Sequence, residues 1–207
     1  MTLPILIQKH QKQVLHNQFK KAYTELNQAS HLFLLNEGIS VTDFDTNSTP
    51  QKVIEKFMTY YQNSHINTAH PRWEKITGDY IPGNPPCDEG GLYQWEDDIG
   101  RYYQVDNGHV SQNQLNGPKI CIDINGEKGP NKLGYDYFIF IFLNNGQIAP
   151  YTGGSFYGQT RQRDEIFAAQ NCSFDNLEIE GGLNCAYFAL INKNPYGNGD
   201  YWNDFLK

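Results

Sequence analysis

The stretch from Leu3 to Asn36 constrains this chain more than any other. In LPILIQKHQKQVLHNQFKKAYTELNQASHLFLLNE, apolar side chains recur at Leu15, Phe19, Ala22, Leu26, Ala29 and Phe33, and Gly38 follows. Alternating steps of four and three lay one continuous stripe along an α-helix, so one face of it must lie on something. Nearer the start, Leu3, Ile5, Leu6 and Ile7 crowd around Pro4 without a stripe, which reads as the trailing edge of a longer hydrophobic segment. At about 1.5 Å per residue the helix runs for roughly 50 Å, longer than a head of this size needs for cover, and part of it is expected to project.

The 207 residues suffice for one core carrying such an element, and 14% aromatic residues argue against disorder. With 16 Lys and Arg against 23 Asp and Glu, the net charge of -7 excludes a general nucleic-acid role, which needs a basic face. Lys9, Lys12, Lys20 and Lys21, with His10 and His16, are the one basic concentration; they read as a solvated helix face, with an anionic lipid or partner surface as the alternative. Cys87, Cys121, Cys172 and Cys185 form neither a C-x-x-C pair nor a zinc-spaced set with His, so disulfides are expected, with three connectivities open. Taken as it stands, the sequence has neither a secretory signal nor about twenty consecutive apolar residues, which alone would mean a soluble cytosolic protein. The cysteines argue instead for an oxidising compartment.

Along the chain, Ser48-Thr49-Pro50 opens a second helix, QKVIEKFMTYY, whose Val53, Ile54, Phe57, Met58 and Tyr61 form a packing side. From Asn63 to Asp98 the pattern is that of a long loop, with Cys87 in its middle. Strands are expected over 101–105, 109–111, 119–124 and 137–143, punctuated by Asn107-Gly108, Asn125-Gly126 and Asn145-Gly146, the hairpin turns of an antiparallel meander. The run Phe138-Ile139-Phe140-Ile141-Phe142-Leu143 offers no polar face, so both its sides should be covered, one by the stripe of the first helix. TRQRDEIFAAQ (160–170) reads as a short helix, and Cys185 to Ile191 as a last strand.

Chemistry-bearing constellations are few. Asp123, Asn125 and Glu127 stand at x, x+2 and x+4, with Asn131 and Asp136 beyond, a set of hard oxygens that suits calcium. The spacing departs from an EF-hand, because Gly126 is fourth and Lys128 occupies the sixth place, and an Asx turn followed by a Gly-Pro corner is the preferred reading. Asp88-Glu89 with Glu96-Asp97-Asp98 reads as a solvated acidic loop. Ser155 lacks the flanking of a nucleophile elbow, and nothing selects a pair of carboxylates for glycoside hydrolysis, so no catalytic set is assigned. Trp73, Trp95, Trp202, Tyr80, Tyr93 and Tyr102 would be the platform for a sugar, against the preferred alternative of core packing.

FKKAYTELNQA (19–29), YYQVDNGHV (102–110), IDINGEKGPNKLGYDYFIF (122–140) and CAYFALINKN (185–194), together with Leu3-Pro4-Ile5-Leu6-Ile7, resemble the type IV pilin-like proteins, the pilins and pseudopilins. The D-x-N-G-x-K-G-P-N-x-x-G-x-D block is the most specific part, and the likeness is weakest over 39–100 and 150–170. The resemblance implies an α+β fold: a long N-terminal helix packed on an antiparallel sheet of about four strands, with a long helix-to-sheet loop. The expected organisation is a helix over 1–36 and a head over 37–207, in which 39–100 is a variable loop with a short helix and 101–207 holds the sheet and C-terminal region.

The resemblance also implies a non-catalytic subunit of a type IV pilus (fimbrium) or type II secretion pseudopilus, processed and methylated at its N-terminus and held in the bacterial inner membrane by a hydrophobic half-helix that this sequence lacks, as after truncation for solubility. Leu3, Ile7, Val14, Leu15 and Phe19 would mediate assembly, and the partners would be other pilin or pseudopilin subunits. Periplasmic before assembly, such a subunit lies afterwards in a cell-surface pilus or pseudopilus, where adhesion to surface glycans is the alternative function. No cofactor is expected. Of the three connectivities, the resemblance supports Cys87 with Cys121 and Cys172 with Cys185.

Overall fold

A computed structural model describes residues 3–45, 48–61, 63–71, 87, 93–106, 116–126, 128–151, 172–173, 182 and 184–206. Helix α1 (Leu3–Glu37) is 35 residues long. Its stripe from Leu15 to Phe33 is buried at all six positions, as steps of three and four require when one face rests on a core. Gly38 ends it with φ 72°, its amide donating to the Leu34 carbonyl at 3.0 Å. A short helix, α2 (Val41–Asp45), occupies what reads in the sequence as a polar connection. In α3 (Pro50–Met58) the side chain of Thr49 accepts from the Lys52 amide and Pro50 stands in the first turn, the start signal visible in the sequence.

The sheet has six strands rather than about four: β1 (Ser64–Pro71), β2 (Tyr93–Asp97), β3 (Tyr102–Asp106), β4 (Asn116–Asp123), β5 (Tyr137–Leu143) and β6 (Ile148–Pro150). They pair in chain order, each antiparallel to the next, so the meander is as expected and larger. Three of the six lie outside the expected strand ranges: β1 and β2, where the sequence reads as loop, and β6, which follows Asn145-Gly146. Strand β1 is an edge strand whose SHINTAHP composition carries no apolar alternation, and Ile66 within it is exposed. Its pairing with β2 is what defines it, and hydrogen bonding leaves no period in a sequence. Asn145-Gly146 does turn β5 into β6, but Asn125-Gly126 opens a longer connection, 124–136, because β4 ends at Asp123 and β5 starts only at Tyr137. The third turn, Asn107-Gly108, the strand at 109–111 and the helix at 160–170 lie outside the described residues.

Strand β5 is covered on both sides. Phe138, Phe140 and Phe142 face the helices, with ring centroids 4.6 Å from Phe19 to Phe138 and 4.8 Å from Phe57 to Phe142. Tyr137 and Ile139 face the other way, into a second buried cluster with Tyr102, Cys121, Leu133 and Cys87. Cys87 is bonded to Cys121 and Cys172 to Cys185. The first bridge fixes Cys87 on the face of the sheet away from α1. At the β6 edge, α1 substitutes for a further strand: Asn27 Oδ1 accepts from the Ile148 amide at 2.9 Å, and the Tyr23 hydroxyl donates to the Ile148 carbonyl at 3.1 Å.

Residues 185–191 are a helix, α4 (Cys185–Ile191), and not a strand. The run CAYFALI is rich in strand formers, yet its buried residues are Cys185, Ala186, Phe188 and Ala189, a helical period. The small Ala186 and Ala189 allow close packing there. A single π-helical turn, Tyr201–Phe205, completes the head, with Trp202 buried 5.5 Å from Phe19 and donating from Nε1 to the Ala189 carbonyl at 3.0 Å.

Candidate functional site

The front of α1 carries a cluster of exposed apolar side chains. Ile5, Leu6, Ile7 and Val14 are 52, 48, 50 and 40% exposed. No helix of the described residues is long and apolar enough to cross a membrane. The residues expected to mediate assembly divide: Ile7 and Val14 lie on this surface, Leu15 and Phe19 are in the core of the head, and the Leu3 side chain lies outside the described residues. Lys9, Lys20 and Lys21 are exposed, whereas Lys12 donates to the Asn203 carbonyl at 3.2 Å and His16 stacks on Trp202 at 5.1 Å between centroids. The basic cluster is therefore partly a seam between α1 and the C-terminal turn.

The connection 124–136 brings the hard-oxygen set together. Asp123 is the last residue of β4, and strand alternation places it on the same face as Cys121. Its Oδ1 accepts from the amides of Asn125 at 3.1 Å and Gly126 at 2.8 Å, which is the Asx turn. Gly126 has φ 64°, and a Cβ there would lie 1.8 Å from the Gly100 carbonyl oxygen, so glycine is required for the loop to press against the β2–β3 turn. Asp136 accepts from the amides of Asn131 at 3.0 Å and Lys132 at 2.6 Å, and from Asn125 Nδ2 at 3.2 Å.

Both carboxylates are fully buried. Burial, and after it the charge of Asp136, pushes the Asp123 carboxyl well above the usual carboxylate range. Burial likewise pushes Asp136 up to about 6, against the pull of its backbone donors. Asp123 Oδ2 and Asn125 Oδ1 are buried with no hydrogen-bond partner. Lys128 is exposed, Glu127 lies outside the described residues, and no group of three or more His, Cys, Asp or Glu gathers among the described residues. The residues that offer oxygens to a hard cation are thus Asp123, Asn125 and Asp136.

A third cluster has no signature in the sequence. Arg101, 3% exposed, pairs through Nε with Asp97 Oδ2 at 2.6 Å, and through Nη2 with Glu25 of α1 and with the Tyr61 hydroxyl at 2.9 Å. The Tyr61 and Tyr103 hydroxyls lie 2.7 Å apart, and Tyr103 donates to Asp97 at 2.8 Å. Burial opposes the charge on Arg101, but Tyr103, Tyr61, Glu25 and Asp97 outweigh it and raise its pKa. Asp97 is therefore no part of a solvated acidic loop: it is buried and ion-paired at the end of β2, while Asp98 is exposed and Asp88 and Glu89 lie outside the described residues. The i, i+4 spacing of Asp97 and Arg101 across a turn is the one clue the sequence held. Beside this network a cavity of about 230 Å³ opens between α1, Tyr60, Asn63 and the Asp98-Ile99 turn.

Of the proposed aromatic platform, the described members are in or against the core. Trp202 and Tyr102 are buried, Trp95 is half-buried against the core, and Trp73, Tyr80 and the Tyr93 side chain lie outside the described residues, as does Ser155. Comparison with known protein families, with characterised proteins and with solved structures finds no match to this chain.

Proposed function

We propose that this chain is a structural, non-catalytic subunit of a type IV pilus or type II secretion-like pseudopilus, assembling with other pilin or pseudopilin subunits through the front of α1. The observation that carries the reading is the division of α1: from Leu15 its stripe covers the sheet, and before Leu15 Ile5, Leu6, Ile7 and Val14 stand half exposed on a helix that continues past the head. A monomer has no use for that surface, whereas helix-on-helix packing would bury it. The pilin-like block over 122–140 and the disulfide-tied head support the same reading. In it, an apolar half-helix preceding Leu3 holds the subunit in the inner membrane before assembly, and the assembled fibre lies in the periplasm or at the cell surface.

The codons upstream of Met1 test this. A short basic leader, then about twenty apolar residues with a glutamate near their start, is the expected result. A secretory signal with a small-residue cleavage site, or an unrelated domain fused there, would overturn it.

One observation favours a second reading, an exported carbohydrate-binding or adhesive module. The cavity beside Arg101 is lined by Gln28, Tyr60, Asn63 and Asp98, planar polar groups beside a tyrosine ring, which suit sugar hydroxyls. Glycan-array binding that Asp98→Ala abolishes would establish it, and an array without signal would remove it.

A further inference from the structure

We propose that His16 is a proton-operated latch at the point where α1 leaves the head: neutral, its ring holds to Trp202; protonated, it turns out to water and the helix lets go of the C-terminal turn as far as Phe19. Leu15 opens the buried stripe, so His16 stands where α1 passes from exposed to seated. Its imidazole is stacked on the Trp202 indole, 5.1 Å between centroids and 15° between planes. One turn earlier, Lys12 Nζ donates to the Asn203 carbonyl at 3.2 Å. Trp202 is itself fixed: Nε1 donates to the Ala189 carbonyl at 3.0 Å, its amide donates to Asn192 Oδ1 at 3.3 Å, and its ring packs on Phe19 and Phe138. The part of this seam that can move is therefore the imidazole.

His16 Nε2 is sealed from water and has no hydrogen-bond partner. A neutral imidazole tolerates this by leaving Nε2 bare and keeping its hydrogen on Nδ1. An imidazolium cannot, because it carries N–H on both nitrogens and one of them would be buried without an acceptor. The charged groups around the ring are Lys20 on α1 and Asp200 at the start of the turn; Lys12 and Asp204 lie in the same seam, Lys12 bonded to Asn203 and Asp204 to the Asp200 amide at 2.7 Å. Burial is the largest influence on His16 and Lys20 the next, both against the proton, while Asp200 is the weaker pull for it. The indole face attracts a cation, but only while the ring lies on it, and that position is the one in which Nε2 is sealed. The seam is thus whole above about pH 6.5 and weakens as acid protonates the released ring. Beyond it, Lys12 holds by one exposed bond and Leu15, at 8%, is the least buried residue of the stripe, whereas Phe19, fully buried against Phe138, Phe140 and Trp202, stops the release. The latch belongs to the fold and does not depend on what the front of α1 assembles with.

Two measurements on the whole chain, from about pH 7.5 to 5, test it. In an NMR titration, the His16 ring C–H signals, displaced at neutral pH by the Trp202 ring current, should move to free-imidazole positions as the ring takes its proton. In hydrogen exchange, the protection of amides 15–18 relative to those of β5 should fall several-fold, with a ceiling of about 30-fold at pH 5 set by a free-imidazole pKa of 6.5. His16→Phe keeps an aromatic ring for Trp202 and has no proton to take, so its protection should stay constant over the range. Asp123 and Asp136, on the other face of the sheet, titrate in both chains and cancel in the comparison. A ring-current displacement that survives protonation, protection in the native chain that ignores pH, or an equal loss in His16→Phe would each overturn the proposal. Should that variant fail to fold, the ring-current titration of the native chain decides.

Discussion

The two halves of α1 have similar residue types and opposite fates. From Leu15 to Phe33 each third or fourth side chain enters the core, where Phe19 meets Phe138, Phe140 and Trp202. From Leu3 to Val14 the apolar side chains are more crowded, yet those described stay exposed, because none of the described residues of the head covers them. Hydrophobicity alone therefore did not decide burial; the presence of a facing sheet did. The rear half belongs to the fold, and the apolar side chains described in the front half stay exposed.

Truncation in the rear half should have the largest effect. Phe19→Ala removes a fully buried ring that touches three others and is expected to cost ~3–5 kcal/mol, lowering the thermal midpoint on the order of 10 °C. A loss below about 1 kcal/mol would mean that α1 is not seated on the sheet. Arg101→Met cuts the polar fastening between α1 and the β2–β3 turn and strands Asp97. About 3 kcal/mol is expected, since Asp97 keeps the Tyr103 hydroxyl and two amides. Chemical denaturation measures it, and a neutral outcome would mean that Glu25 and Asp97 gain enough water to need no partner.

Acid should act first on the face of the sheet away from α1, at Asp136, and then on α1 itself, at His16. The folded-state pKa of Asp136, about 6, lies above its ordinary value of 3.8, so the native state binds the proton more tightly. The cost of its charge is fully present above about pH 6 and is relieved as pH falls from there towards 3.8, so stability should rise between about pH 6 and 4. His16, whose pKa is lowered chiefly by burial, contributes the opposite slope below about pH 6.5. The difference between the native chain and Asp136→Asn isolates the carboxylate; identical slopes would refute the assignment. The smallest effect belongs to the front half: Ile7→Ser, half exposed, should change stability by no more than about 0.5 kcal/mol.

What the sequence made legible was whatever burial writes as a period. The stripe of α1, the cap at Thr49-Pro50 and the doubly covered Phe138–Leu143 run were all visible for that reason. Strand β1 was not, because an edge strand held by hydrogen bonds need not alternate, and the inner strand β2 was not, because YQWED is short and largely polar and its buried Asp97 leaves no apolar run to read. Residues 185–191 misled because Tyr187, Phe188 and Ile191 favour strands intrinsically while tertiary packing placed Ala186 and Ala189 on a helix. At the candidate sites, the oxygen set of 123–136 could be read from spacing, but the burial of both carboxylates could not. The Arg101 network joins residues 25, 61, 97, 101 and 103, contacts between distant parts of the chain that no local pattern encodes.

Hydrogen exchange along α1 tests the division of the helix most directly. Amides from about Leu15 to Glu37 should exchange with protection near that of the β4 and β5 strands, while those before Val14 exchange by local fraying, orders of magnitude faster. Uniform protection from residue 5 to residue 37 would contradict this division, since it would mean that the front half is already packed on the head.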